Sequence, residues 1–373
     1  MGYLVPREDE PQSTMTNLGE VLAHFRQESL ACRSMGSPFM SDLIEASMPA
    51  IERPGATHDL IGQWRGHPRA DVLAARLASA LHAAVLSGRA PMLASHYPAP
   101  GAPGSGYQAW SEAERFIEAN REWVSSWISS PPQTNEVRRA SGLFPAMAVV
   151  AGEHGLPVDL LELGASAGLN LSLDRFSYNN NAWNWGGGNL SIETDWQGGT
   201  PSIAAFQIAE RAGCDQNPLD VTKSDDRLRL LSYIWPDQPE RMARLHQAID
   251  LAAHQRIRID RRDAAEWIEE QLSTPRPGRL TLVFHSIFFH YPPAVTRARI
   301  AKAIADAGLR ATAAAPLAWL RFEFEAALGG PVESTRCLLD LICWPGGARR
   351  VLAEVDSHGR FVNWTANPCL FTI

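Results

Sequence analysis

Cysteine is scarce. The 373 residues hold five, at positions 32, 214, 337, 343 and 369. The number is odd and no pair has Cys-x-x-Cys spacing, so neither a zinc site, a redox pair nor a disulfide framework is indicated. Long apolar runs are missing too, and none reaches the length that spans a bilayer. Positive charge is in deficit: 34 Lys and Arg face 41 Asp and Glu, for a formal net charge of -7. That excludes a protein held on nucleic acid by bulk electrostatics. The opening stretch, MGYLVPREDEPQSTMTN, has no apolar middle and does not read as a secretory signal. Residues 1–16 read as a disordered tail, with Met15 an alternative start. No internal repeat is visible. The expected setting is the cytoplasm, where thiols stay reduced, with no membrane and no metal.

What is present is an ordinary globular composition, 45% hydrophobic and 20% charged. The length suits two domains with sizeable cores. From Asn17 to about Gly155 the pattern is helical. Asn17 with Glu20, and Ser111 with Glu114, look like capping boxes. Arg69–Ser87 has Ala and Leu at helical spacing, and Asn135–His154 predicts a further helix. Strands then alternate with helices. The expected strands are Val158–Leu163, one ending at Gly213-Cys214-Asp215, Arg256–Asp260, Arg279–His285 and Leu317–Phe324. The expected helices are Ile203–Arg211, Asp225–Ile234, Gln238–Ala253, Ala264–Leu272 and Ala294–Ala307. Such alternation predicts an α/β protein with a mainly parallel, doubly wound sheet. The tail reads as consecutive antiparallel strands joined by Gly-Gly and His-Gly turns.

The chemistry-bearing stretch is Glu162-Leu163-Gly164-Ala165-Ser166-Ala167-Gly168, between a strand and a predicted helix. Gly164 and Gly168 permit a sharp turn and a close ligand approach. The next element offers free N–H groups at its start. Glu162, at the strand's carboxyl end, suits a cationic amino group. This matches the first motif of S-adenosylmethionine methyltransferases, acidic-x-G-x-G-x-G, with Ser166 in place of the middle Gly. The same residues spell G-x-S-x-G, a serine-hydrolase elbow, with Asp340 or Asp356 and His358 as possible partners. Against that, the preceding region is helical and no oxyanion segment precedes the Ser. A plain structural turn is the third reading.

A cofactor loop calls for an acid at the end of the next strand to hold ribose hydroxyls, and Asp215 fills that position. Its distance from the loop exceeds the usual spacing by an inserted Asn/Trp/Gly-rich loop at 177–200. Asp263-Ala264 resembles a pair that contacts adenine, although Asp263 equally suits a helix cap. The fourth strand ends in HSIFFHYPP, and His285, His290 and Tyr291 are the candidate catalytic or acceptor-side groups. Asn135, Glu136 and Arg138 form a polar cluster before an apolar helix. They either cap it or face the cofactor loop from the substrate side. Trp183, Trp185 and Trp196 either close over a substrate or pack the loop down.

The segments FRQESLACRSMGSPF, SGRAPMLASHYP, PPQTNEVRR, LLELGASAGLNLSLDRFSY, GCDQNPLD, DDRLRLLSYIWPDQPERM, FHSIFFHYPP, APLAWLRFE and WPGGARRVLAEVDSHGRFVNW together resemble one bacterial family, domain of unknown function 2332, over about residues 17–365. The resemblance implies a methyltransferase-like Rossmann fold behind a helical half, and makes the Trp/Gly loop an expected element. The expected organisation is a helical N-terminal cap domain over 17–154 and, over 155–373, a Rossmann-like sheet of S-adenosylmethionine methyltransferase type. The function expected from it is methyl transfer from S-adenosylmethionine to a small molecule or protein. The alternatives are a hydrolase built on Ser166 and a non-catalytic module that binds a nucleotide or partner.

Overall fold

The computed structural model describes residues 18–255 and 257–366. The expected tail at 1–16, the Asn17 cap, Arg256 and Cys369 lie outside the described residues. The chain divides into two compact units. One holds residues 135–221 and 247–366, the other 18–134 and 222–246, as far as each is described. The division therefore falls at Asn135, not at the expected His154.

The second unit is helical. It begins with α1 (Leu18–Ser34) and α2 (Pro38–Glu52). Ser37 caps α2 by accepting from Met40 N, and Pro38 suits the first turn. α3 (Leu73–Leu86) is buried along nearly its whole length, because its Ala-rich face lets neighbours approach closely. After α4 (Pro91–Ala94), α5 (Gly106–Ala119) starts earlier than expected. Ser105, not Ser111, is its cap, accepting from Gln108 N. α5 ends at its cap Asn120, where α6 (Arg121–Ser129) begins. Phe25, Ile51, Leu73, Leu81 and Val124 centre this unit's core.

The first unit opens with a 3-10 turn at Val137–Arg139 and α7 (Ala140–His154). α7 is buried almost all round, which is why it belongs with the sheet. β1 (Val158–Leu163) follows, buried at every position. After it, where an α-helix was expected, comes a 3-10 stretch, Leu169–Arg175. The loop region is itself ordered into β2 (Ser177–Asn179), β3 (Asn184–Trp185), β4 (Ser191–Glu193) and β5 (Asp195–Gly198). Its Trp residues pack down: Trp183 meets Trp196 edge-on and Trp196 stacks on Trp364. The helix expected at Ile203–Arg211 is instead the approach to β6 (Ile208–Asp215) and its first half. Pairing with β1, which sets Glu162 against Gly213, overrides the local helical pattern.

α8 (Ser224–Ser232) and the first part of α9 (Pro239–Gln255) belong to the helical unit. The chain returns through β7 (Arg258–Arg261), α10 (Ala264–Gln271), β8 (Leu280–Ser286), α11 (Ala294–Leu309) and β9 (Leu317–Phe324). β10 (Cys337–Trp344), β11 (Ala348–Val355) and β12 (Phe361–Trp364) complete it as the expected antiparallel meander. The nine-stranded sheet runs β5-β12-β11-β10-β9-β8-β1-β6-β7. β7, β6, β1, β8 and β9 are mutually parallel. The chain lays β6 and β7 on one side of β1, then β8 and β9 on the other. The strand order thus reverses between β1 and β8, which is where open α/β sheets leave a crevice at their carboxyl ends.

Candidate functional site

The loop leaving β1 turns sharply. Gly164, Ser166 and Gly168 all have positive φ, at 66, 52 and 68°. A Cβ on Gly164 would lie 2.3 Å from the Phe288 ring, and one on Gly168 2.6 Å from Ile259. Positive φ favours glycine at both positions, and at Gly164 the Phe288 ring leaves no room for a Cβ as well. Three side chains hold the turn. Asn135 Oδ1 accepts from Leu169 N at 2.9 Å and its Nδ2 donates to Ala165 O. Asp215 Oδ2 accepts from Ser166 N at 2.9 Å, and its Oδ1 accepts from Asn217 N. Asn170 donates to Glu136 O. The expected link between Asn135 and the glycine loop is thus present, within one unit.

Glu162 is 2% exposed and its Oε2 meets no donor among the described residues. Burial and then the nearby Asp215 push its pKa well up, with Arg139 opposing. Ser166 Oγ and Asn170 Oδ1 are also buried without a partner among the described residues. Native interiors rarely tolerate this, so unmet groups converging on one loop point to a ligand or water.

The end of β8 is built differently. His285 is fully buried, and its Nδ1 lies 2.6 Å from Glu323 Oε1. That oxygen also accepts from Phe288 N at 2.7 Å and Phe289 N at 3.2 Å. Burial alone would raise the Glu323 carboxyl, but the His285 hydrogen bond and these donors outweigh it and lower its pKa. His285 is pushed down by burial. The pair is best described as a carboxylate accepting Nδ1–H from a neutral imidazole. Between them sits Ile287, a β-branched residue at φ 51°. Strain of this kind persists only where its surroundings impose it, and it gathers at functional sites.

Glu162 pairs with Phe284 in the ladder, so His285 faces the opposite side of the sheet. There it stacks on Phe289 at 4.3 Å. His285 is an anchor of the turn and is not brought together with Glu162. Burial lowers the His290 pKa to about 4. Its ring lies 3.8 Å from that of Tyr291, which is exposed.

The remaining candidates separate. Asp263 caps α10, accepting from Ala265 N and Glu266 N, and Ala264 is buried behind it. Arg138 donates to Glu193 O and lines an open groove of about 540 Å³ with Asn179, Asn181 and Asn184. Among the described residues no hydrolytic triad is assembled. Ser166 Oγ touches no base among the described residues. Asp340 is bound by Arg321 and Arg349, and Asp356 by Arg360.

Three residues beyond the sequence reading join the site: Arg139, Phe288 and Glu323. Arg139 Nε donates to Ser357 O and its Nη1 to Ser286 O. The signal for Glu323 was a charge inside the apolar strand LAWLRFEF.

Among the described residues no helix is long and apolar enough to cross a membrane, and no group of three metal-ligating side chains occurs. No curated protein and no solved structure matches the chain. Residues 23–364 match a family described as uncharacterized protein conserved in bacteria. With that match spanning most of its length, the chain belongs to the DUF2332 family.

Proposed function

We propose that the carboxyl edge of β1, β6 and β8 binds S-adenosylmethionine and serves methyl transfer, in a Rossmann-like fold of methyltransferase type. One observation carries the reading: Glu162, a buried carboxylate whose Oε2 meets no donor among the described residues, stands at the foot of a left-handed glycine turn. The reversal of strand order at that point and the acid at the end of the neighbouring strand support it. The bound group would supply a sulfonium-activated methyl. Glu162 would take its ammonium, Asp215 would face the ribose, and the Asp263-Ala264 turn the adenine. Methyl transfer needs in-line placement more than a base. Tyr291 and His290 then line the acceptor side, and a His290 lowered to about 4 is a neutral imidazole at physiological pH. The hydrolase reading is not favoured, because a serine nucleophile needs a base within reach.

The test is ligand-induced stabilisation of the purified chain. A ligand at 100 times its dissociation constant adds about 2.7 kcal/mol. S-adenosylmethionine or S-adenosylhomocysteine should therefore raise Tm by several degrees. No shift at millimolar ligand, with no heat in calorimetry, rejects the reading. Binding without transfer to any acceptor would leave a nucleotide-binding module.

A further inference from the structure

Two buried ionic side chains of opposite sign stand at this edge, and among the described residues neither is in a salt bridge, although Arg139 feels the charge of nearby Glu136. Glu162 Oε2 meets no donor among the described residues. Arg139 is 9% exposed. Its guanidinium donates to the carbonyls of Ser357 and Ser286, with the Ser286 hydroxyl at 3.5 Å. Among the described residues no carboxylate lies within ion-pair distance of it. Burial disfavours both charged forms: the Arg139 pKa is pushed down, and that of Glu162 up. A buried charge left like this is costly unless something arrives to meet it.

The other acids nearby are already engaged. Both Asp215 oxygens accept backbone N–H groups. Glu136 Oε1 accepts from Arg138 N, and Glu323 Oε1 holds His285 and the turn after it. Glu162 is thus a carboxylate held ready without a donor on its Oε2.

Glu162 and Arg139 are close without touching. Glu162 pairs with Phe284, and Ser286, which anchors Arg139, lies two residues further along β8 on the same face. Strand spacing and rise put the Ser286 backbone about 8 Å from that of Glu162. From backbones that far apart, the Glu162 carboxyl and the Arg139 guanidinium can each meet one end of an α-amino acid zwitterion through a charge-assisted hydrogen bond of about 2.8 Å. A plain cation would leave Arg139 without a salt bridge, and a plain anion would face Glu162.

We propose that this edge binds the α-amino acid end of a ligand, with the ammonium on Glu162 and the carboxylate on Arg139. The identity of the rest of the ligand rests on the cofactor reading above; the zwitterion site does not.

The experiment is calorimetric titration of the full chain with four compounds. They are S-adenosylmethionine, its decarboxylated form, 5′-methylthioadenosine and L-methionine. The wild type should bind S-adenosylmethionine at least tenfold more tightly than the decarboxylated form. Arg139→Met should erase that preference, while Arg139→Lys keeps part of it. If Arg139→Met does not fold by circular dichroism, the wild-type pair of ligands alone decides. Equal binding of the pair by the wild type overturns the inference and leaves the nucleoside reading standing. Binding of L-methionine but of no nucleoside supports the inference and overturns the cofactor reading. No binding of any compound overturns both.

Discussion

At the scale of single residues, the glycine turn makes opposite demands at neighbouring positions. Gly164 needs its positive φ and the space its missing Cβ leaves for Phe288. Gly164→Ala should cost about 1–3 kcal/mol from backbone strain and displacement of the ring. It should also abolish any ligand-induced rise in Tm. Gly164→Ala/Phe288→Ala should recover part of the stability, because the clash is relieved and the strain is not. A double variant no more stable than Gly164→Ala would show that Phe288 is not the obstacle. Ser166→Ala removes a buried hydroxyl that has no partner among the described residues. It should be within about 0.5 kcal/mol of wild type and leave ligand binding intact. Selective fluorophosphonate labelling of Ser166 would instead restore the hydrolase reading. Glu162, Gly164, Gly168 and Asp215 were legible in the sequence, because strand ends and tight turns restrict residue type. Arg139 and Phe288 were not, and Glu323 showed only as a charge inside an apolar strand. Glu323 reaches His285 across 38 positions, and nothing local marks such a pairing.

At the scale of elements, Asn135 ties the approach to α7 to the loop after β1. Its carboxamide makes two hydrogen bonds, one accepted from Leu169 N and one donated to Ala165 O. Removing both leaves partly buried backbone groups unmet, at about 1–3 kcal/mol. Asn135→Ala should therefore lower stability by that order and weaken ligand binding more than tenfold. Asn135→Asp keeps the acceptor for Leu169 N and loses the donor, so it should fall between. An Asn135→Ala protein with unchanged affinity would reduce this residue to a fold-holding tie. The elements read correctly are those whose burial wrote itself into composition. β1 and β9 are buried at nearly every position, and both lie where their apolar runs placed them. The first half of β6 was read as helix because it is only partly buried and carries mixed residues, while its end at Gly213-Cys214-Asp215 was read as strand. Its strand state comes from β1 alongside, which local pattern cannot register. The start of α5 was misplaced for a similar reason. Ser105 and Ser111 are both acceptable caps, and only the fold selects between them.

At the scale of the whole molecule, buried titratable groups give stability a definite dependence on pH. His24 and His82 are 6% and 4% exposed, and burial lowers each pKa from 6.5 to about 4. In the unfolded chain both take up protons below pH 6.5, while in the native state they resist until about pH 4. Acidification through that window therefore favours the unfolded state. Between pH 8 and pH 5 each histidine should cost about 2 kcal/mol of stability. Glu162 acts in the opposite sense. Its native pKa is raised, so its contribution is favourable below the unfolded carboxyl range and is lost as pH rises through the native value. In a Glu162→Gln background, where this opposing contribution is removed, stability should fall on the acid side. Urea unfolding at pH 8, 6.5, 5.5 and 5 measures this directly. His82 faces backbone groups of Ser232, whose O lies 3.2 Å from its Nδ1, and of Ile234. His82→Gln can keep the bond to Ser232 O and cannot titrate, so it should flatten the acid limb by about 2 kcal/mol between pH 8 and pH 5. A midpoint unchanged between pH 8 and pH 5 would mean that these imidazoles are solvated in the native state. A His82→Gln limb as steep as wild type would assign the acid sensitivity to other groups.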